Sequence, residues 1–204
     1  MADILIDNQT APTTPASSKS VLWVDSTTKK ALQTDDSGVH RGIFSANQML
    51  VTSGQSNSVD TYVTNSGLLI PSYGLQVGMR FEWIVHVSKS AAGTTAATLT
   101  VRIGSGQSTS DTSVAALTQT IAQAATADSG ILFASAYVTV VSASGIMACA
   151  WQPGGAGSNL GGGKDAQSGV LDFTGRQGQY VGISINAQTS GIWTWTGVWA
   201  RGIQ

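Results

Sequence analysis

Residues 79–87 alternate without a break: Met79, Phe81, Trp83, Val85 and Val87 fall on one parity, and Arg80, Glu82, Ile84 and His86 on the other. Successive side chains of an extended strand point to opposite faces, so a period of two means a strand with one buried and one mostly polar face. A chain containing such a strand must supply others to pair with it. The rest of the sequence does so, with strand-like runs at roughly 48–53, 58–64, 67–70, 78–88, 95–104, 113–121, 130–142, 145–152, 169–174, 179–187 and 191–201, separated by turn residues. Many short strands between turns, with no sustained 3.6-residue periodicity, predict an all-β sandwich or barrel.

Residues 113–127 are the one stretch that competes as a helix, because Val114, Leu117, Ile121 and Ala124 fall at helical spacing. The threonines and the alternation Leu117-Thr118-Gln119-Thr120-Ile121 favour a strand. Residues 154–163 hold six glycines in ten positions and predict a flexible loop, since glycine loses the most conformational freedom in a regular element.

The N-terminal fifth has a different composition. Residues 8–20 are rich in Thr, Ser and Ala, and Pro12 and Pro15 oppose both helix and ladder pairing, which predicts an extended arm. Val21-Leu22-Trp23-Val24-Asp25, the polar Ser26-Thr27-Thr28-Lys29-Lys30 and Ala31-Leu32-Gln33-Thr34 then read as a small β-hairpin, closed by Asp35-Asp36-Ser37-Gly38. The expected division is 1–45 for the arm and hairpin and 46–204 for the sandwich.

Charge narrows the partners. Ten basic and eleven acidic residues leave a net charge of −1, with no basic patch to neutralise a phosphate backbone or an anionic bilayer. Direct nucleic-acid binding and membrane insertion are therefore not expected. Met1-Ala2-Asp3-Ile4-Leu5-Ile6-Asp7 carries acids where a secretory signal needs basic residues, and no run reaches the roughly 18 apolar residues of a spanning helix. Synthesis and assembly in the cytoplasm follow as the expectation.

Candidate chemistry is sparse. Cys149, in the apolar run Ile146-Met147-Ala148-Cys149-Ala150-Trp151, is the single cysteine and reads as a core residue. His40 and His86 have no second ligand at zinc spacing, and Asp35-Asp36 lacks the spaced oxygens of a calcium loop. Gly161-Gly162-Gly163-Lys164-Asp165 resembles a phosphate loop only in part, because Ser158 and Asp165 stand where that motif needs glycine and Ser or Thr; the segment is expected to be an unstructured loop. No nucleophile elbow is paired with a histidine and an acid in order. Glu82 is the only glutamate among ten aspartates, and nothing in the sequence selects an acid pair for glycoside hydrolysis. No catalytic residue, cofactor site or metal site is expected. Trp193, Trp195 and Trp199 share a parity around Gly197; such a stripe either stacks on sugar rings or fills the core, and core packing is the expectation.

Several segments carry a resemblance. Gly78-Met79-Arg80-Phe81-Glu82, Thr98-Leu99-Thr100-Val101-Arg102-Ile103-Gly104, Ala124-Ala125-Thr126-Ala127-Asp128-Ser129-Gly130, and Tyr180-Val181-Gly182-Ile183-Ser184-Ile185-Asn186 before Ile192-Trp193-Thr194 make residues 69–203 similar to the jelly-roll β-sandwich modules of tailed-bacteriophage structural proteins. Residues 21–38 resemble the short hairpins that precede such modules. The resemblance implies a non-enzymatic virion component: a jelly-roll-like antiparallel β-sandwich behind an extended arm and small hairpin, assembled as a homo-oligomer, usually a trimer. The arm would be anchored on capsid or tail proteins. Absence of a collagen-like or coiled-coil shaft points to a capsid decoration or head-fibre role, with a tail or neck fibre, or a module binding a host receptor or glycan, as the alternative. For the last, Trp193, Trp195 or the loop at 154–163 would form the contact.

Overall fold

In the computed structural model, residues 59–90, 94–154, 160–187 and 193–204 are described in full, and the strand residues 8–9, 21–25, 31–34, 40–41 and 43–57 by their backbone. No helix occurs among these residues. The chain divides into two units, Met1–Phe44 with Ile203–Gln204, and Ser45–Gly202.

In the first unit, β2 (Val21–Asp25) and β3 (Ala31–Thr34) pair antiparallel with Val21 opposite Thr34 and Val24 opposite Ala31, which is the hairpin expected from the sequence. It is widened at both sides. β1 (Asn8–Gln9) runs parallel to β2, and β4 (His40–Arg41) pairs with β3, giving the order β1-β2-β3-β4. Thus Asn8 and Gln9 form a paired strand; the rest of the expected arm, residues 10–20, lies outside the described residues.

The second unit is a jelly roll. One sheet has the order β13-β12-β11-β8-β15-β5 and the other β10-β9-β14-β6, with β7 also on β14. The strands are β5 (Ile43–Asn57), β6 (Thr61–Tyr62), β7 (Leu68–Leu69), β8 (Arg80–Lys89), β9 (Thr98–Gly104), β10 (Thr112–Thr118), β11 (Asp128–Val140), β12 (Ile146–Gly154), β13 (Lys164–Gln167), β14 (Tyr180–Asn186) and β15 (Trp193–Ile203). Leaving aside the β12–β13 hairpin, the chain passes from sheet to sheet so that β5, β15, β8 and β11 form one four-stranded layer. β6, β14, β9 and β10 form the other, which is the double Greek-key order of an eight-stranded jelly roll. The β12–β13 hairpin extends the first layer beyond β11.

Alternation explains the core between the layers. On β8, Phe81, Trp83, Val85 and Val87 are buried; on β11, Leu132, Ala134, Ala136 and Val138; facing them, Leu99, Val101 and Ile103 of β9 and Val181, Ile183 and Ile185 of β14. The indole Nε1 of Trp83 donates to the Ser66 carbonyl at 2.7 Å, tying the first sheet to the β6–β7 connection. The connection from β10 to β11 is held by buried polar groups. Gln123 donates to the carbonyls of Thr95 and Ala187 and accepts from Trp193 Nε1, while Lys89 Nζ donates to the carbonyls of Ser90, Ala124 and Thr126. Burial lowers the Lys89 pKa, opposed by the nearby Asp128 carboxylate; three carbonyls on one ammonium supply the acceptors that burial would otherwise remove.

Several details differ from the sequence reading. Residues 113–121 form a strand, β10, but it ends at Thr118, and Ile121 is exposed rather than in line with Leu117. Residues 169–174 make only one bridge, Leu171 to Gly145. There the Asp172 carboxylate accepts from both the backbone and the hydroxyl of Thr174, and this local turn competes with ladder pairing. The Lys164-Asp165 segment, expected as an unstructured loop, is strand β13, with Ala150 opposite Asp165 and Ala148 opposite Gln167.

Candidate functional site

Register along the first sheet sets which side chains meet on its outer face. Glu82 on β8 pairs with Ser135 on β11, Ser135 with Ala150 on β12, and Ala150 with Asp165 on β13. This row runs from one carboxylate to another over small side chains, across three strand gaps or roughly 14 Å. On one side of it lies the row Ile84, Phe133, Gln152, and on the other Arg80, Tyr137, Ala148, Gln167. Small residues in the middle row and rings beside it leave a trough. Its two parts, about 580 Å³ and about 540 Å³, share Arg80, Ser135, Ala150 and Asp165.

The β15 end of the trough is charged. Glu82 sits between two arginines, with Arg80 Nε 2.8 Å from Oε1 and Arg201 Nε donating to Oε2 at 2.6 Å. The Arg201 guanidinium also stacks on Trp199, 4.8 Å from the ring centroid. Cation and ring hold each other in a fixed pose. Phe133 and Tyr137 remain 48% and 43% exposed, large rings turned toward solvent on an otherwise small-residue surface.

The tryptophan stripe is divided. Burial on β15 alternates Trp193, Trp195, then shifts phase at Thr196-Gly197 and resumes at Val198 and Ala200. Trp193 and Trp195 are wholly buried core rings and offer no stacking surface, whereas Trp199 joins the outer face. Gly197 lies beneath His86, 3.7 Å from where a Cβ would stand, and makes no room among the tryptophans. Residues 155–159 of the loop at 154–163 are outside the described set.

Cys149 is buried, and burial pushes its thiol up to about 12, which suppresses the thiolate needed for nucleophilic or ligand chemistry. His86 is exposed on the outer face of β8. His40 lies in β4, with its side chain outside the described residues, as are Asp35 and Asp36. The glycine segment lacks the loop-to-helix setting of a phosphate loop. Gly162 N–H donates to Ile121 O, Thr120 Oγ1 donates to Gly163 O, and Gln119 Nε2 donates to Leu160 O, so residues 160–163 strap the exit of β10 and lead into a strand, not a helix. Among the described residues, no group of three His, Cys, Asp or Glu side chains could hold a metal ion, and no helix is long and apolar enough to cross a membrane. No family model matches the sequence, and no curated protein matches it significantly.

Sequence reasoning missed the trough because its residues come from five strands. Glu82 and Arg80 were visible as the polar parity of β8, but Asp165 reaches the same face only through the pairing of β13.

Proposed function

We propose that this chain is a non-enzymatic structural component of a tailed-phage virion, first of all a capsid decoration or head-fibre protein anchored through residues 1–45 and displaying its jelly roll. The observation that carries this reading is the complete jelly-roll strand order in a unit, Ser45–Gly202, that is distinct from a small N-terminal β unit. An anchor and a displayed body can then be separate parts of one chain. A chain only 10% charged also suits subunit interfaces, whose cores are depleted in charge, and a homotrimer is the expected assembly.

Light scattering on the purified chain, followed by mixing with phage particles that lack it, tests the reading. A trimer that rebinds heads supports it. Rebinding to tails would transfer the role to a tail or neck fibre, and a monomer that binds neither particle part would overturn the virion assignment.

A further inference from the structure

We infer that the trough on the outer face of the β13-β12-β11-β8-β15 sheet is a binding site for a neutral oligosaccharide. The inference goes beyond the virion reading and does not depend on it, because it concerns the isolated chain.

Three properties converge on this ligand class. The first is shape: about 580 Å³ lies within the range of small-ligand sites, roughly 300–1,000 Å³. Ser135 and Ala150 keep the floor low while Phe133, Tyr137 and Trp199 stand around it. The second is the pairing of surfaces. A pyranose presents an apolar C–H face and a rim of hydroxyls, and the trough presents aromatic rings beside polar ends. Two of those rings stay about half exposed in the free chain, and Trp199 is held by Arg201.

The third property is balance between donors and acceptors. Each sugar hydroxyl donates one hydrogen bond and accepts others, whereas guanidinium only donates and carboxylate only accepts. The trough provides both kinds: Arg80 and Arg201 at one end with Glu82, Lys164 and Asp165 across the floor, and the Gln152 amide between. Glu82 fixes both arginines by their Nε atoms, which aims their remaining N–H groups. An anionic ligand would meet two carboxylates, Glu82 and Asp165, and with both arginines paired to Glu82 it would have Lys164 as its remaining cation in the lining. A peptide lying along the floor would find no open backbone groups there, since β8, β11 and β12 are paired on both sides and strand addition next to the trough could occur only beside the end strand β13, outside the floor.

Affinity electrophoresis of the full chain through gels containing hydroxyethylcellulose, galactomannan, amylose or arabinan, with polygalacturonate as the charged comparison, tests this. Retardation by at least one neutral polymer is expected, weakened tenfold or more in Trp199→Ala and Phe133→Ala. Gln152→Ala, at an exposed position whose side chain donates to the carbonyl of the neighbouring Pro153, guards against misfolding and should weaken retardation at least threefold. Val170→Ala, exposed elsewhere, should leave it unchanged. Retardation by none of the neutral polymers, by polygalacturonate alone, or equally in wild type and trough variants would overturn the inference. None of these results bears on particle binding, so the two readings fail separately.

Discussion

At the residue scale, two core tryptophans separate the contribution of a ring from that of its N–H. Trp151 and Trp193 pack against each other, centroids 6.2 Å apart, and both are almost fully buried. Trp193 Nε1 donates to Gln123 Oε1 at 2.7 Å, while Trp151 Nε1 has no hydrogen-bond partner among the described residues. Replacing Trp193 by Phe leaves a buried amide oxygen without its donor, at a cost of about 1–3 kcal/mol beyond the lost area. Trp151→Phe loses a similar area but removes an unsatisfied donor. Urea unfolding should therefore rank Trp193→Phe as the less stable variant by at least about 1 kcal/mol, and equal stability of the two would remove the role assigned to Gln123. That amide also spans two further carbonyls, which explains how a glutamine can sit at 4% exposure in this core.

At the scale of elements, the strap before β13 is where backbone conformation decides most. Gly161 has φ +88, and a Cβ there would lie 2.7 Å from Ile121 O and 2.8 Å from the Gln119 amide. A left-handed conformation and a backbone collision together should make Gly161→Val cost roughly 2–4 kcal/mol and loosen β13. Gly169, a few residues on, has nothing within 4 Å of its Cβ position, and Gly169→Ala should change the melting temperature little. Amide exchange at 164–167 would report the difference directly, with unchanged protection in Gly161→Val counting against the strap. The same strap shows what the sequence could and could not reveal. β8, β9 and β14 were legible because one apolar parity must meet a core, and the hairpin β2–β3 because a polar turn separates two short apolar runs. β13 was not: Lys164-Asp165-Ala166-Gln167 has no buried parity to betray it, and its place comes from backbone pairing with β12 and from the glycine strap behind it. Trp199 was misplaced for a related reason. A single phase shift at Thr196-Gly197 exchanges the faces of everything beyond it, and period alone carries no sign of where a strand changes step. The trough combined both difficulties, since its middle row depends on the register of four strands at once.

At the scale of the whole molecule, the division into two units lets the proposed attachment be tested apart from folding. Strands β1–β4 pair only with one another within their sheet, and Phe81, Trp83, Phe173, Trp193 and Trp195 are large buried side chains of the jelly roll. Deleting residues 1–20 removes β1 and no strand of either jelly-roll sheet. A domain of about 150 residues buries roughly 70% of its unfolded surface, enough to need no contribution from that segment. The shortened chain should keep the near-ultraviolet dichroism of its buried tryptophans and melt within a few degrees of the full chain, about the shift expected for 1 kcal/mol in a domain of this size. If residues 1–45 are the anchor, the same chain should no longer enter particles, while its retardation by a neutral polysaccharide persists, because every trough residue lies between Arg80 and Arg201. Particle incorporation at the full-length level would detach the anchor from the N-terminus. Loss of the tryptophan dichroism would instead mean that the N-terminal residues help to hold the jelly roll itself.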